Sequence, residues 1–243
     1  MTAIVVGASS GVGRALATEL ARCGWPLLLI ASDLRDIEAQ AADLHLRFNV
    51  ATRALALDLA REPDPGARVI ASLGALPAPT ALLLPVGNSS GGDDFSLDAV
   101  AVGKLVAINL HVPLAIVHAL LPSLLETHAV IVGFGSVAAA RGRSRNVVYA
   151  AAKRGLDSLF ESLRHRYRPQ ELRVQFYRLG FVRSNLTFGQ ELPLPAAEPS
   201  AIARTVVRRL RGRSGDWYLP RWWAIVALLV KLLPLRIYRR LKN

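Results

Sequence analysis

The sequence predicts an α/β protein, a doubly wound parallel sheet in a single domain with a C-terminal amphipathic tail. Three observations lead there. Short apolar runs recur along the chain with helix-period segments between them, and the runs are continuous rather than alternating, as strands covered on both faces are. A cluster of glycines follows the first run directly. The length of 243 residues, 52% hydrophobic and 20% charged, suits one domain with a sizeable core.

Residues 3–6 form the first strand and 12–22 the helix after the glycines. Residues 27–30 are the second strand, followed by a helix over 33–47 that Asp33 caps. A third strand covers 53–57, a short helix 67–73 and a fourth strand 81–84, with a glycine-rich loop over 87–92 behind it. A long helix spans 97–125, and Pro113 marks a bend in it. The fifth strand is 129–134, the second long helix 146–166 and the sixth strand 172–177. Residues 181–199 read as a loop rich in proline and glycine, 200–210 as a helix and 217–219 as a last short strand. Right-handed crossovers between such strands wind the sheet in both directions. The domain is expected to span 1–215 and the tail 216–243.

Thirty Lys and Arg against eighteen Asp and Glu give a net charge of +12. Such a chain attracts anionic lipid, phosphorylated substrates or nucleic acid. No helix-turn-helix, zinc-finger or RNA-binding signature occurs, so no nucleic-acid partner is expected. The single cysteine, Cys23, excludes an internal disulfide and a cysteine metal cluster, and reads as a buried core thiol in a reducing compartment. Histidines 45, 111, 118, 128 and 165 show no ligand spacing, so no metal is expected. No basic segment precedes residues 3–6, as a secretory leader would require, and no stretch reaches the ~20 uninterrupted apolar residues of a spanning helix. The expected location is the cytoplasm.

The glycine cluster is Gly7-Ala8-Ser9-Ser10-Gly11-Val12-Gly13. Between a strand and a helix, residues without Cβ let a pyrophosphate approach the backbone, and the helix start offers free N–H groups. A tight turn without a ligand has the same glycines. The dinucleotide reading makes Gly7, Ser9, Ser10, Gly11, Val12 and Gly13 cofactor contacts on a Rossmann-like sheet. Asp58, with Leu59 beside it, ends the third strand and reads either as a partner of an adenine ring or as a helix cap. Ser32 ends the second strand and does not repel a 2′-phosphate, while Arg14 and Arg35 are near enough in sequence to reach one. Asp33 argues the other way. The balance leans to NADP(H) over NAD(H).

Tyr149 and Lys153 stand four apart and share a helix face. A free tyrosine has a pKa of about 10, and a neighbouring ammonium favours the phenolate. The pair is therefore expected to move a proton at a substrate oxygen while hydride moves at carbon. Ser136 follows the fifth strand and is expected to hold that oxygen, though a serine there is also an ordinary turn residue. Asn109, inside the long helix, is expected to anchor a water that relays protons to Lys153, though an Asn there is also an ordinary exposed or satisfied polar residue.

The glycine turn, Asn109, Ser136 and the Tyr149–Lys153 pair resemble, in order and spacing, the short-chain dehydrogenase/reductase family over about residues 2–215. The resemblance implies NAD(P)(H)-dependent interconversion of a ketone and a secondary alcohol, with Asn109, Ser136, Tyr149 and Lys153 as catalytic residues. It also implies that Lys153 holds the cofactor ribose and that Leu179-Gly180-Phe181-Val182-Arg183-Ser184 approaches the nicotinamide carboxamide through Gly180, Val182 and Ser184. Leu179 and Ser184 stand where that family usually has proline and threonine. Pro85-Val86-Gly87-Asn88 replaces its usual Asn-Asn-Ala-Gly, so the backbone at Val86 and Gly87 lines the cofactor while a sheet-stabilising asparagine is missing. Members usually pair through the two long helices, so a homodimer or tetramer is expected.

Arg141, Arg143 and Arg145 lie between Ser136 and Tyr149 and read either as a solvated loop or as an anion clamp. The tail opens with Trp217-Tyr218-Leu219-Pro220-Arg221-Trp222-Trp223, continues apolar over 224–230 and closes with Arg236, Arg239, Arg240 and Lys242. It suits a helix lying in a membrane interface, here the inner face, or one packed on the domain or a partner subunit. The tail and Asn146-Val147-Val148-Tyr149 resemble the reductases of decaprenylphosphoryl-2-keto-pentofuranose in cell-envelope glycan synthesis, which work beside a flavoenzyme oxidase. Reduction of a fatty-acyl or other hydrophobic ketone is the alternative, and a cofactor-binding scaffold without turnover is a third reading.

Overall fold

The structure, a computed structural model, describes residues 1–184, 187, 189 and 192–240. Parts of the expected 181–199 loop, and Lys242 of the tail, lie outside the described residues. Seven parallel strands form one sheet: β1 (Thr2–Val6), β2 (Leu27–Ala31), β3 (Thr52–Ala56), β4 (Pro79–Leu84), β5 (Val130–Ser136), β6 (Arg173–Leu179) and β7 (Gly215–Leu219). Their order is β3-β2-β1-β4-β5-β6-β7. The chain winds outward from β1 to β3, then returns to the other side of β1 and winds outward to β7. That reversal opens a crevice at the carboxyl ends of β1 and β4, where doubly wound sheets bind ligands.

The helices are α1 (Gly11–Arg22), α2 (Leu34–Phe48), α3 (Pro65–Leu73), α4 (Ala99–Val106), α5 (Val112–Glu126), α6 (Val147–Arg166), α7 (Pro199–Arg209), α8 (Trp223–Leu232) and α9 (Leu235–Tyr238). Side-chain caps start four of them: Ser10, Asp33, Asp64 and Asp98 each accept an N–H of the first turn. Every residue of β1 and β2 is buried, and alternate side chains serve opposite faces. Ala3 and Val5 pack with Leu16, Leu20, Ile37 and Val206. Ile4 and Val6 pack with Ile116, Leu120, Leu156 and Phe160. This double cover explains the continuous apolar runs.

Three expectations change. The long helix stays helical through Pro113, which has no N–H to give the preceding turn and follows directly on an irregular one. The irregularity comes just before it, as a wide π turn at Ala107–His111 in which the Val112 N–H bonds the Ala107 carbonyl. Cys23 is not a core thiol but exposed, because it caps the C-terminal end of α1 where the chain turns out at Gly24. The stretch from Ala99 to Glu126 is, against expectation, long and apolar enough by composition to cross a bilayer. Its Leu105 face is buried, and Val112, Ile116, Leu120 and Leu124 pack in the core.

The tail begins inside the sheet. β7 pairs in parallel with β6, and α8 then folds back so that Trp223 and Ala227 are buried. Arg178 fastens this edge, bonding both carboxylate oxygens of Asp157 on α6 at 2.9 and 2.7 Å and Asp216 on β7 at 2.7 Å.

Candidate active site

A cleft of about 760 Å³ opens over the crevice, from Ser32 and Asp58 at one end, past the glycine turn, to Ser136, Tyr149 and Lys153. Gly7 has φ +89°, and a Cβ there would stand 2.8 Å from the Val86 Cα. A Cβ on Gly13 would lie 2.1 Å from the Gly7 carbonyl oxygen. Only glycine fits either place. Ser10 locks the turn, its hydroxyl donating to the Gly7 carbonyl at 2.8 Å and accepting the Gly13 N–H at 3.0 Å. Gly11 leaves the start of α1 bare, and Ser184 approaches it from across the cleft. Gly7, Ser9, Ser10, Gly11 and Val12 all line the cleft, so the chain presents a cradle of glycines and small side chains at a helix N-terminus that fits a pyrophosphate.

At the far end Ser32, Asp58 and Leu59 line the wall. Asp58 also accepts the Ala60 N–H at 3.0 Å and lies 3.6 Å from the Arg61 guanidinium, so it shapes its own turn while facing the cleft. Asp33 is turned to α2, accepting the Asp36 N–H at 3.2 Å. Arg14 is ion-paired with Asp36 and donates to the Ser9 carbonyl, so its charge is already compensated. That removes one of the two arginines expected to reach a 2′-phosphate. Arg35 has no carboxylate partner among the described residues.

Lys153 is 3% exposed, and its ammonium donates to the carbonyls of Val86 at 3.0 Å and Phe134 at 3.1 Å. It ties the segment after β4 to the end of β5 and keeps one N–H uncommitted. Asn109, fully buried in the π turn, grips Asn88 by both backbone groups: its amide oxygen accepts the N–H at 3.2 Å and its amide nitrogen donates to the carbonyl at 2.8 Å. Gly87 lies between the two side chains, for a Cβ there would stand 3.2 Å from the Lys153 Nζ and 3.3 Å from the Asn109 Oδ1. These two clamps hold Pro85-Val86-Gly87-Asn88, the segment where the sequence lacks a stabilising asparagine.

Tyr149 is partly buried on α6, with the Lys153 Nζ 6.0 Å from its ring centre. Burial pushes the phenol above its ordinary value, and the Ser136 hydroxyl and the positive charge of Arg143 pull it back only in part. The expected lowering by the lysine is not found, because the ammonium is turned to two backbone carbonyls. Lys153 itself is brought down to about 8 by burial. Tyr149 therefore keeps its proton at neutral pH and is poised to give it away. Ser136, the last residue of β5, also accepts the Ala138 N–H at 3.1 Å.

A residue that the sequence reading missed sets the position of Tyr149. Asn146, before α6, has a left-handed backbone and makes no side-chain cap. Asp93, 2% exposed, does the capping from the loop after β4. Its carbonyl accepts the Val147 N–H at 3.1 Å, and its carboxylate accepts those of Val148 at 2.8 Å and Tyr149 at 3.0 Å. No local pattern reveals a cap that arrives from more than fifty residues away.

The remaining wall comes from β6 and the tail. Leu179 pairs in register with Ser136, and the Gly180 N–H bonds the Leu219 carbonyl at 3.0 Å. A Cβ on Gly180 would fall 1.8 Å from the Trp223 Nε1, so the indole lies directly on this glycine. Val182 is buried and bridges to Ala197, while the Ser184 N–H donates to the Thr187 hydroxyl at 3.2 Å. Trp223, Val226, Ala227, Val230 and Tyr238 complete the lining, a contribution that the sequence reading did not foresee. Arg141 is less an anion clamp than a fastener of this tail: its Nη1 donates to the carbonyls of Val230 at 2.8 Å and Leu233 at 2.5 Å, and its guanidinium covers the Tyr238 ring at 4.3 Å. A cation at a helix C-terminus is favourable.

A family model described as short chain dehydrogenase matches residues 1–191. An uncharacterized oxidoreductase of Myxococcus xanthus is 32% identical over 207 residues, 80% of this chain and 77% of that protein. A very-long-chain 3-oxoacyl-CoA reductase of Laccaria bicolor is 24% identical over 223 residues, 90% of this chain but 66% of that protein, so this chain spans just under two thirds of its length. Among solved structures, a short-chain dehydrogenase from Sphingobium yanoikuyae in complex with NADPH is 25% identical with a TM-score of 0.82, covering 96% of both chains.

Proposed function

The chain belongs to the short-chain dehydrogenase/reductase family of oxidoreductases, and from that premise we propose that it reduces the ketone of a hydrophobic, long-chain substrate to a secondary alcohol with NADPH. The observation that carries this reading is Tyr149, a phenol held protonated by burial, lining with Ser136 and Lys153 a cleft that has a glycine cradle.

In this reading a bound nicotinamide dinucleotide supplies a hydride to the carbonyl carbon. Gly7, Ser9, Ser10, Gly11 and Val12 hold the pyrophosphate, and Ser32, Asp58 and Leu59 hold the adenosine end. Val86, Gly87, Gly180, Val182 and Ser184 flank the nicotinamide half. Ser136 holds the ketone oxygen and Tyr149 donates its proton to it, so that one hydride and one proton make the alcohol. Lys153 keeps the Val86 and Phe134 carbonyls in place and turns its free N–H to the ribose. Asn109 fixes the adjoining loop.

The 2′-phosphate preference rests on Ser32, on Arg35 and on the NADPH held by the Sphingobium yanoikuyae relative. The apolar wall of Val226, Ala227 and Val230, and the Laccaria bicolor reductase, favour an acyl ketone. A second reading, a polyprenyl-phosphate 2-keto-pentofuranose reductase working beside a flavoenzyme oxidase, rests on the tail motifs and on arginines near the cleft. Peripheral membrane contact fits either, because Ile225, Leu228, Leu229 and Leu232 form an exposed stripe at helical spacing on α8. A dimer or tetramer would form on the outer faces of α4, α5 and α6.

The test is oxidation of NADPH and NADH by purified protein with a long-chain 3-oxoacyl thioester and with the 2-keto polyprenyl-phosphate pentose. NADPH oxidation with the acyl substrate supports the first reading. Turnover with the sugar alone moves the assignment to the second, and none with either rejects both.

A further inference from the structure

A second cavity, of about 560 Å³, lies beside the cleft and contains neither Tyr149, Lys153 nor Ser136. Arg141, Arg143 and Tyr238 line both spaces, so the two share a wall. Four arginines line the cavity, Arg141, Arg143, Arg154 and Arg239, the first of them bonded to the end of α8. The apolar residues Phe95, Val147 and Leu235 line it as well. None of the four arginines pairs with a carboxylate among the described residues, whereas nine ion pairs compensate cations elsewhere.

Like charges gathered at one cavity repel. An anion with several acceptor oxygens relieves that repulsion. Planar guanidinium forks match phosphate in pairs of parallel hydrogen bonds. The apolar residues between the arginines suit a chain attached to that anion. Arg141 is held in place by its bonds to the end of α8, so part of this arrangement is built before any ligand arrives.

The geometry points to a phosphate-binding subsite: the cavity takes the phosphate group of an amphiphilic ligand, while the rest of that ligand passes Arg141 and Tyr238 into the cleft. This rests on the reading of the cleft as a site for a hydrophobic ketone, and it adds the charge that the substrate carries.

The test is calorimetric titration of the full chain, with NADPH saturating so that the glycine turn is filled. The probes are dodecyl phosphate below its micelle concentration, dodecanol and inorganic phosphate. Dodecyl phosphate should bind at least tenfold more tightly than either of the others. The double variant Arg154→Gln/Arg239→Gln changes two exposed side chains that the cofactor does not need. It should lose that tenfold preference, with its melting temperature and its affinity for NADPH kept. Equal affinity for dodecyl phosphate and dodecanol, or an unchanged double variant, overturns the proposal. Inorganic phosphate binding as tightly as dodecyl phosphate overturns the amphiphile and leaves a site for free phosphate. Absence of NADPH turnover with these affinities intact would sink the reductase reading and not this one.

Discussion

The carboxylate of Asp93 accepts the backbone N–H of Tyr149 at 3.0 Å, so the loop after β4 decides where the helix carrying the phenol begins. Asp93→Ala leaves two first-turn N–H groups of α6 without their acceptor. The loss of charged hydrogen bonds at a helix start predicts a destabilisation of about 2–4 kcal/mol. Turnover should fall at least tenfold while affinity for NADPH stays close to that of the parent. Asp93→Asn, which keeps one acceptor oxygen, should lie between the two. Thermal unfolding and steady-state kinetics check this, and a parent-like Ala variant refutes the positioning role.

Tyr149→Phe removes the phenolic hydroxyl, the proposed proton donor, and leaves the cradle. Loss of a general acid predicts a fall in kcat of roughly 10²–10⁴-fold with cofactor affinity kept. Fluorescence titration with NADPH separates the two effects. Because burial holds the phenol above 10.0, ketone reduction should show no loss from this group between pH 7 and 9. A tyrosine titration near pH 7 would contradict the raised value.

Lys153 gives a stability signature with a definite sign. Its folded value is about 8 against an ordinary 10.5, so below pH 8 the folded protein bears the penalty of a buried charge. Between pH 8 and 10.5 the unfolded chain binds the extra proton, and stability rises with pH through that window. The gain is about 3 kcal/mol at roughly 1.36 kcal/mol per pKa unit. Lys153→Met should lack this increment in denaturant titrations from pH 7 to 10.5, and an identical pH slope in the variant would count against it.

Gly180 and Trp223 are a matched pair. Gly180→Ala drives a methyl group into the indole and should displace α8, raising the KM for a long-chain ketone several-fold. Trp223→Leu in the same chain makes room, so the double variant should recover part of the loss. A double-mutant cycle reads this coupling, and strictly additive effects would show that the two positions do not meet.

The exposed face of α8 predicts retention on vesicles of anionic phosphatidylglycerol. Leu228→Glu/Leu232→Glu should abolish it without unfolding the protein, since both side chains are more than half exposed. Cutting the chain at 215 is a poor test, because it removes β7 from the sheet. Undiminished sedimentation of the Glu variant with vesicles would exclude the stripe as a lipid contact.

The fully buried strands β1 and β2 were legible because, Thr2 apart, all their residues are apolar, as covering on both faces requires. The glycine turn was legible because missing Cβ atoms are written directly in the chain, and so was the Tyr149–Lys153 pair, because helical spacing puts both on one face. Asp93 was not, for a cap that comes from another loop has no local pattern. Nor was the direction of the Tyr149 shift: spacing shows that an ammonium is near, but not that it points at the Val86 and Phe134 carbonyls. Arg14 and Asp36 stand twenty-two apart, so their pairing likewise waited on the packing of α1 against α2.

Sequence alone thus determined the strand and helix order, the parallel sheet and the turn that opens the cleft, since these follow from periodicity and backbone freedom within a few residues. Only the tertiary structure decided that the tail helix walls the cleft, that Asp93 starts the helix carrying Tyr149 and that burial keeps the phenol protonated. Burial and long-range hydrogen bonds are properties of neighbours in space, and the winding of the sheet chooses those neighbours.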